Sequence, residues 1–583
     1  MSKKLGKAKI IFGTVVFFAF CLADFARAAS VGEKLLFYVD ENHVLESQEK
    51  IEAILIKESP NIYFYVEKAW WNLQDSYKKE DLSLVLDNLA DEFSGKIYPV
   101  LTSTFGQEWK PGIDKDAKIT IFFHQMRGGA TGYFRSNDEY SKLQVPNSNE
   151  REMIYLNTAN IEDPQLKSFL AHEFFHLISF NQKERLMEAQ EDVWLSEAMA
   201  EYAITLLGYN ATYMGSNLQK RLTDFMQYPF DSLTEWQSRR YDYASANMFV
   251  HYLVEHYGIG ILTESMKLKS AGITSIDEAL KIKGFKEDFS QVFTDWTIAS
   301  LINDCTKDIK YCYLSQNFQG LKVNPTLNFL PVSSSSLSVT NATKNWSGNW
   351  QKIIGGNGHL TLKFSSLNNA LFKVPYLVFD KSGNYTLDFV NFDNNKIGEI
   401  EIEKFGEQYA SLIIIPSPQV IIENSGVTRP SYIYNFEITV IEQPSDEKNR
   451  NLIQALLAKI DNLKKIIADL QAGFAIAGLS QSPLLNESDS DNSNSNLCNE
   501  ISNSLYIGLE GDRVRCLQQF LKSQGQEIYP DGLVTGYFGN LTKNAVAKFQ
   551  EKYKEEILVP LGLSSGTGYV GPSTRAKINT FIK

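Results

Sequence analysis

Residues 165–180 read QLKSFLAHEFFHLISF, an apolar-rich run with helical spacing that carries His172, Glu173 and His176. At 3.6 residues per turn, positions four apart lie about 40° from each other around a helix axis, so both imidazoles face one side and can bind one ion. Glu173 lies about 100° from His172 on such a helix. It is adjacent to the ion without being a natural ligand, and is placed to take a proton from a metal-bound water.

A tetrahedral site with one open position needs a third protein ligand. The next helical stretch, DVWLSEAMAEY at 192–202, supplies Glu197 and Glu201, again four apart. Glu197 is assigned as the third ligand. Glu201, one turn on, is expected to accept the free N–H of His172 or His176 and fix its tautomer.

HEFFH followed by WLSEAMAEY resembles the gluzincin group of zinc metallopeptidases, whose third ligand is a Glu in a comparable Trp-Leu-x-Glu segment. The hyicolysin family is the nearest in pattern. Further matching pieces are YVEKAWW at 65–71, GGATGYF at 128–134 and YASANMFVHYLVEHYG at 243–258. Ala198 departs from the glycine usual there. The resemblance spans roughly residues 35–300 and implies one catalytic Zn2+, peptide-bond hydrolysis by Glu-assisted attack of a zinc-bound water, and a zincin-like α+β fold. It also implies that EMIYLN is the edge strand along which an extended peptide pairs. The developing oxyanion needs a second donor. Tyr241, Tyr243, His251 and His256 are available; the tyrosines are preferred, with Tyr241 as first choice. His43, His124 and His359 stand alone and read as structural.

Outward from this region, the first thirty residues place four lysines ahead of an apolar run, Ile10 to Leu22, and end in Ala26-Arg27-Ala28. About thirteen apolar residues are too few for a span, so residues 1–28 read as a cleaved secretory signal peptide rather than an anchor. Phe20 ahead of Cys21 argues against lipoprotein processing. Export fits the cysteines, whose remaining four form two local pairs, Cys305 with Cys312 and Cys498 with Cys516, expected as disulfides.

Strand-like runs (KLLFYV, NIYFYV, KITIFF, EMIYL) precede long helical patterns within residues 29–320, giving an α+β catalytic domain. Residues 321–443 change to short β-rich runs and read as an all-β sandwich. Residues 445–473 carry Ile453, Leu456, Ile460, Leu463, Ile467 and Leu470 at coiled-coil spacing. At about two and a half heptads, this is a seam for self-association or, preferably, a helical spacer. The Ser/Asn/Asp-rich residues 474–497 read as a flexible linker.

The last segment, 498–583, contains a repeat: GYFGNLTKNAV at 536–546 returns as GYVGPSTRAKI at 568–578. Each copy is a tight Gly turn that opens a helix. The pattern resembles the small three-helix peptidoglycan-binding domain found on cell-wall enzymes. That resemblance implies peptidoglycan as a partner and an extracellular or wall-associated location.

The 583 residues are 43% hydrophobic and 22% charged, with 57 basic against 69 acidic residues and a net charge of −12. This excludes a disordered chain and, lacking any basic stripe, a nucleic-acid binder. The combined expectation is a secreted zinc endopeptidase tethered to the wall. A zinc-dependent peptidoglycan hydrolase and a noncatalytic wall-bound adhesin are the alternatives.

Overall fold

A computed structural model of the chain describes residues 29–45, 48–331, 335–366, 370–421, 431–442, 454–465 and 500–582, excepting 508, 531 and 562. The expected signal peptide, the linker and Cys498 lie outside the described residues. Two compact units divide near residue 457.

The first unit begins with a six-stranded sheet, β1 (Lys34–Tyr38), β2 (Lys50–Glu58), β3 (Ile62–Glu67), β4 (Ile119–His124), β5 (Gly132–Phe134) and β6 (Met153–Asn157), in the order β1-β2-β3-β4-β6-β5. β3, β4 and β6 run parallel, while β5 pairs antiparallel with β6. Every residue of β4 and β6 is buried, as parallel central strands covered on both faces require. This corrects the expectation for EMIYLN: it forms β6, an internal strand, and the edge belongs to GYF of β5.

Helices α1 (Lys68–Asn72), α2 (Ser76–Glu92) and α3 (Tyr98–Phe105) fall between β3 and β4. After β6 come α4 (Leu166–Ser179), α5 (Val193–Leu206), α6 (Asn217–Gln227), α7 (Arg240–Tyr257), α8 (Gly260–Ser265), α9 (Gly272–Ile282) and α10 (Phe289–Ile302). The two phenylalanines of HEFFH explain how α4 is oriented. Phe174 packs on Phe93 and Tyr98, and Phe175 on Phe105, with centroids 5.0–5.6 Å apart. Their burial leaves the two histidines turned toward α5.

Residues 326–441 form a large β region with two faces, β13-β12-β15-β9-β7 and β14-β10-β17-β8 when the strands are numbered on from β7 (Thr326–Leu330), β8 (Ser335–Thr343), β9 (Gln351–Gly355), β10 (Gly358–Ser366), β11 (Phe372–Lys373), β12 (Pro375–Asp380), β13 (Tyr385–Phe389), β14 (Ile397–Phe405), β15 (Tyr409–Ile414), β16 (Ser417–Pro418) and β17 (Tyr432–Ile441). Among the described residues the strands of the two faces pair at Phe405↔Tyr409. Alternation along β17 and β14, buried on one face and exposed on the other, fills the space between them. The β region is not packed separately from the helices. Trp346 lies against Phe289 and Phe293, and the Trp350 indole N–H donates to the Thr297 carbonyl at 3.0 Å.

Cys305 and Cys312 are disulfide-bonded, with Cα atoms 5.0 Å apart; Cys516 is also disulfide-bonded. Residues 454–465 are helical, and Leu456, Ile460 and Leu463 of the expected seam are about half exposed. Among the described residues no helix is long and apolar enough to cross a membrane.

In the second unit, helices Asp512–Ser523, Asn540–Lys552 and Pro572–Ile582 enclose a core of Val514, Leu517, Leu521, Val546, Phe549 and Ile578. The sequence repeat becomes a repeated bonding pattern. Gln518 accepts from Gly536 N and donates to the Tyr537 carbonyl and Thr542 Oγ1; Gln550 does the same with Gly568, Tyr569 and Thr574. Both glycines have positive φ, 82° and 73°, which only glycine adopts cheaply.

Candidate metal centre

α4 and α5 bring His172, His176 and Glu197 together, with one donor atom of each within 4.8 Å of the others. His172 Nε2 stands 3.3 Å from His176 Nε2 and 3.2 Å from Glu197 Oε2. Three lone-pair donors aimed at one another repel unless a proton or a cation sits among them. Two imidazoles and one carboxylate form a donor set that zinc accepts readily. The residues therefore fit a zinc ion.

The electrostatics point the same way. Burial opposes a charge on His172, but the Glu197 hydrogen bond and the fields of Glu173, Glu197 and Glu201 prevail and raise it to about 9. Burial alone would raise Glu197, yet His176 and His172 hold it well below the usual carboxylate range. The carboxylates around the two imidazoles thus favour a positive charge at this point, a proton or a metal cation.

Glu173 is 6% exposed, and burial raises its carboxyl against the pull of both histidines. It lies against the edge strand, where the Phe134 backbone supports it by a hydrogen bond. Gly132 makes this approach feasible: a Cβ there would sit 2.7 Å from the Tyr155 carbonyl oxygen and 3.1 Å from Glu173 Cγ.

Glu201 is where the geometry departs most from the sequence reading. Its Oε2 accepts from Asn217 (2.7 Å), Asn247 (2.9 Å) and Arg221 Nε (3.0 Å), while Arg221 Nη2 donates to Oε1 at 2.6 Å. His172 Nδ1 is 3.9 Å away, beyond hydrogen-bond range. Glu201 thus contributes a nearby charge, not the expected acceptor bond, because one turn past Glu197 it faces α6 and α7. His176 Nδ1 meets Ser196 Oγ at 3.2 Å instead. Neither Arg221 nor Ser196 carries a sequence signal, since each is defined only by what faces it in the fold.

The tyrosine candidates separate clearly. Tyr241 bonds to Arg240 and lies against Tyr228, outside the cluster. Tyr243 is pushed far above its ordinary value by burial and then by Glu197, Glu173 and Glu201, so its hydroxyl stays a proton donor beside those carboxylates. The Arg221 guanidinium stacks 4.7 Å from its ring. His251 is taken by Thr205 and Asn247, and His256 by the Cys312 carbonyl.

Beyond the end of the edge strand, Phe134, Arg135 and Asn137 border a recess of about 510 Å³ with Tyr38, Asp40, Glu41 and Glu49 on its other wall. The Arg135 charge is already balanced by Asp138 at 2.8 Å, so the lining is acidic.

Comparison with known proteins gives three findings. A peptidoglycan binding domain family matches residues 510–578. The neutral metalloprotease ShpI of Staphylococcus hyicus is 35% identical over 131 residues, a match that spans 19% of this chain and 28% of that protein. Two solved structures each align with 20% of the chain at a TM-score of 0.14. They are the pre-peptidase C-terminal domain of a Bacillus anthracis collagenase (7% identity, 96% of that chain) and the Yersinia pseudotuberculosis-derived mitogen (12% identity, 93% of that chain).

Proposed function

We propose that this chain is an exported zinc-dependent endopeptidase held at the cell wall by its C-terminal unit. The single observation that carries the reading is the convergence of His172, His176 and Glu197 with Glu173 beside them. Similarity to a neutral metalloprotease and the peptidoglycan binding match support the two halves of it. The division proposed is a signal peptide over 1–28, a catalytic domain over 29–320, an accessory β-sandwich over 321–443, a helical spacer over 445–473, a linker over 474–497 and a wall-binding domain over 498–583.

His172, His176 and Glu197 would hold the zinc, which when bound supplies Lewis acidity toward water and the substrate carbonyl. Glu173 takes the proton of the water that attacks the carbonyl carbon and returns it to the leaving amine nitrogen. Its burial and the Phe134 hydrogen bond fix the carboxylate for both transfers. Tyr243 donates its hydroxyl hydrogen to the carbonyl oxygen as negative charge develops there. The extended substrate pairs with β5 through backbone hydrogen bonds, and the acidic recess beyond Phe134 receives one of its side chains.

The test is hydrolysis of unfolded casein by the purified chain, stripped with a chelator and refilled with zinc. Activity lost and restored by zinc supports the reading. The peptidoglycan binding match keeps wall peptides as the second substrate class; zinc-restored cleavage of purified peptidoglycan with casein untouched would favour it.

A further inference from the structure

The chain between α6 and α7, residues 228–239, has no regular secondary structure, yet residues 231–234 are buried. Its polar groups bond to the β region. Ser232 Oγ donates to the Asn345 carbonyl, the Leu233 N–H donates to the Trp346 carbonyl at 2.8 Å, and Ser347 Oγ donates back to the Phe230 carbonyl at 2.7 Å. Lys344 adds a charge, 3.5 Å from Asp231 and 3.8 Å from Glu235.

The segment that makes these contacts, residues 344–347, is itself rooted in the helical core. Trp346 packs on Phe289 and Phe293 of α10, and Trp350, just beyond, bonds to the Thr297 carbonyl. Asn345 donates to the Val420 carbonyl and accepts from the Val420 N–H. Trp346 has a φ of 49°, a left-handed conformation that a bulky residue keeps only where its surroundings over-determine it. The strain falls on the residue whose carbonyl meets Leu233.

The other end of the loop reaches Tyr243. Trp236 meets the Tyr243 ring edge-on, with centroids 4.7 Å apart at 71°, and the Arg221 guanidinium lies 4.7 Å from the same ring. Asp242, the residue before Tyr243, accepts from the Gln237 N–H at 2.9 Å and the Arg239 N–H at 2.7 Å, which ties the loop to the first turn of α7. A segment with no helix or ladder of its own takes its position from the partners of its polar groups. Here those partners are residues 344–347 on one side and α7 on the other.

We propose that the β region completes the hydrolytic centre: residues 344–347 fix the loop between α6 and α7, and Trp236 on that loop positions the Tyr243 hydroxyl. Trp236 and Lys344 are positioning residues, acting through Tyr243 and not on the reacting atoms. The inference rests on the reading in which Tyr243 donates to the developing oxyanion. Such a donor works only when held close to its place, so a loosened loop costs turnover more than substrate binding.

The experiment uses the full chain loaded with zinc, with casein as substrate. Trp236→Ala should lower kcat about tenfold with KM within about twofold, while Trp236→Phe, which keeps a ring against Tyr243, recovers most of the rate. In a Tyr243→Phe background Trp236→Ala should cost little more, because the hydroxyl it positions is gone. Lys344→Met/Ser347→Ala should lower kcat in the same non-additive way. In that variant deuterium exchange should quicken in peptides covering residues 230–239 and stay unchanged in those covering α4 and α5. Wild-type rates in Trp236→Ala or in Lys344→Met/Ser347→Ala, losses that simply add to that of Tyr243→Phe, or unchanged exchange in the loop overturn the proposal. Should Tyr243→Phe itself keep the wild-type rate, the donor reading falls and the inference with it. A zinc-loaded wild type that leaves casein intact would instead sink the peptidase reading, and exchange in the loop would still decide whether the β region holds it.

Discussion

The candidate metal centre and the C-terminal repeat both depend on buried polar side chains, but they assemble them differently. Gln518 and Gln550 are neutral, and each reaches partners 18, 19 and 24 residues ahead, so the arrangement is local and occurs twice. Glu201 is charged and draws its partners from α6 and α7, up to 46 residues away. A local neutral brace can be copied by duplicating a stretch of chain. A charged one must be completed by the fold, and its loss leaves an unbalanced buried charge beside the candidate metal ligands.

That difference can be put under strain, beginning where the effect is largest. Replacing Arg221 with Met leaves Glu201, 1% exposed, as an unpaired buried charge. The first unit should lose about 3–5 kcal/mol in denaturant unfolding. Zinc affinity should also change, because the field at His172 changes with it. A loss below about 1 kcal/mol would make the charged brace no more important than a surface pair.

Acid should separate the units next. Burial lowers His251 to about 4, and the neutral ring is held by Asn247 and Thr205. The unfolded chain binds that proton near 6.5 and the folded chain near 4, so stability falls as pH drops through this window and is retained above it. The full effect is about 3 kcal/mol. Thermal unfolding of His251→Gln followed from pH 7 to 4 should show a flatter loss than wild type. Residues 500–582 contain no histidine, so their transition should be unchanged by the substitution.

A smaller effect is expected in the repeat. Gln518→Ala and Gln550→Ala should each cost about 1–3 kcal/mol, similar to one another, because each orphans the same kinds of buried groups. Binding to purified peptidoglycan should weaken while casein hydrolysis by the soluble chain holds. Unequal losses would mean that the two turns are not equivalent. The smallest effect belongs to Tyr241→Phe, which should leave kcat/KM within about twofold, whereas Tyr243→Phe should lower kcat by about 10²-fold or more.

These contrasts also explain what could be read from the sequence. HEFFH is legible because helical geometry alone puts His172 and His176 on one side. The strands with continuous apolar runs, β3, β4 and β6, are legible for the same local reason. The three-residue edge strand β5 is too short to carry a period, and its importance comes from lying beside Glu173. EMIYLN, by contrast, looks like an edge only until the order of the strands is known. Arg221, in the polar run NLQKRLTDFMQ, and Ser196, inside the apolar helix α5, acquire meaning only from partners in other elements. The tryptophans of NWSGNW at 345–350 likewise give no hint that they dock into α10.

The most direct measurement is the rate of casein cleavage by Glu173→Gln beside wild type, with both shown to carry one zinc and to unfold at comparable temperatures. A peptidase centre in which Glu173 moves the proton predicts a loss of about 10²–10⁴-fold at equal zinc content. Equal rates in the two proteins would contradict it and remove Glu173 from the chemistry.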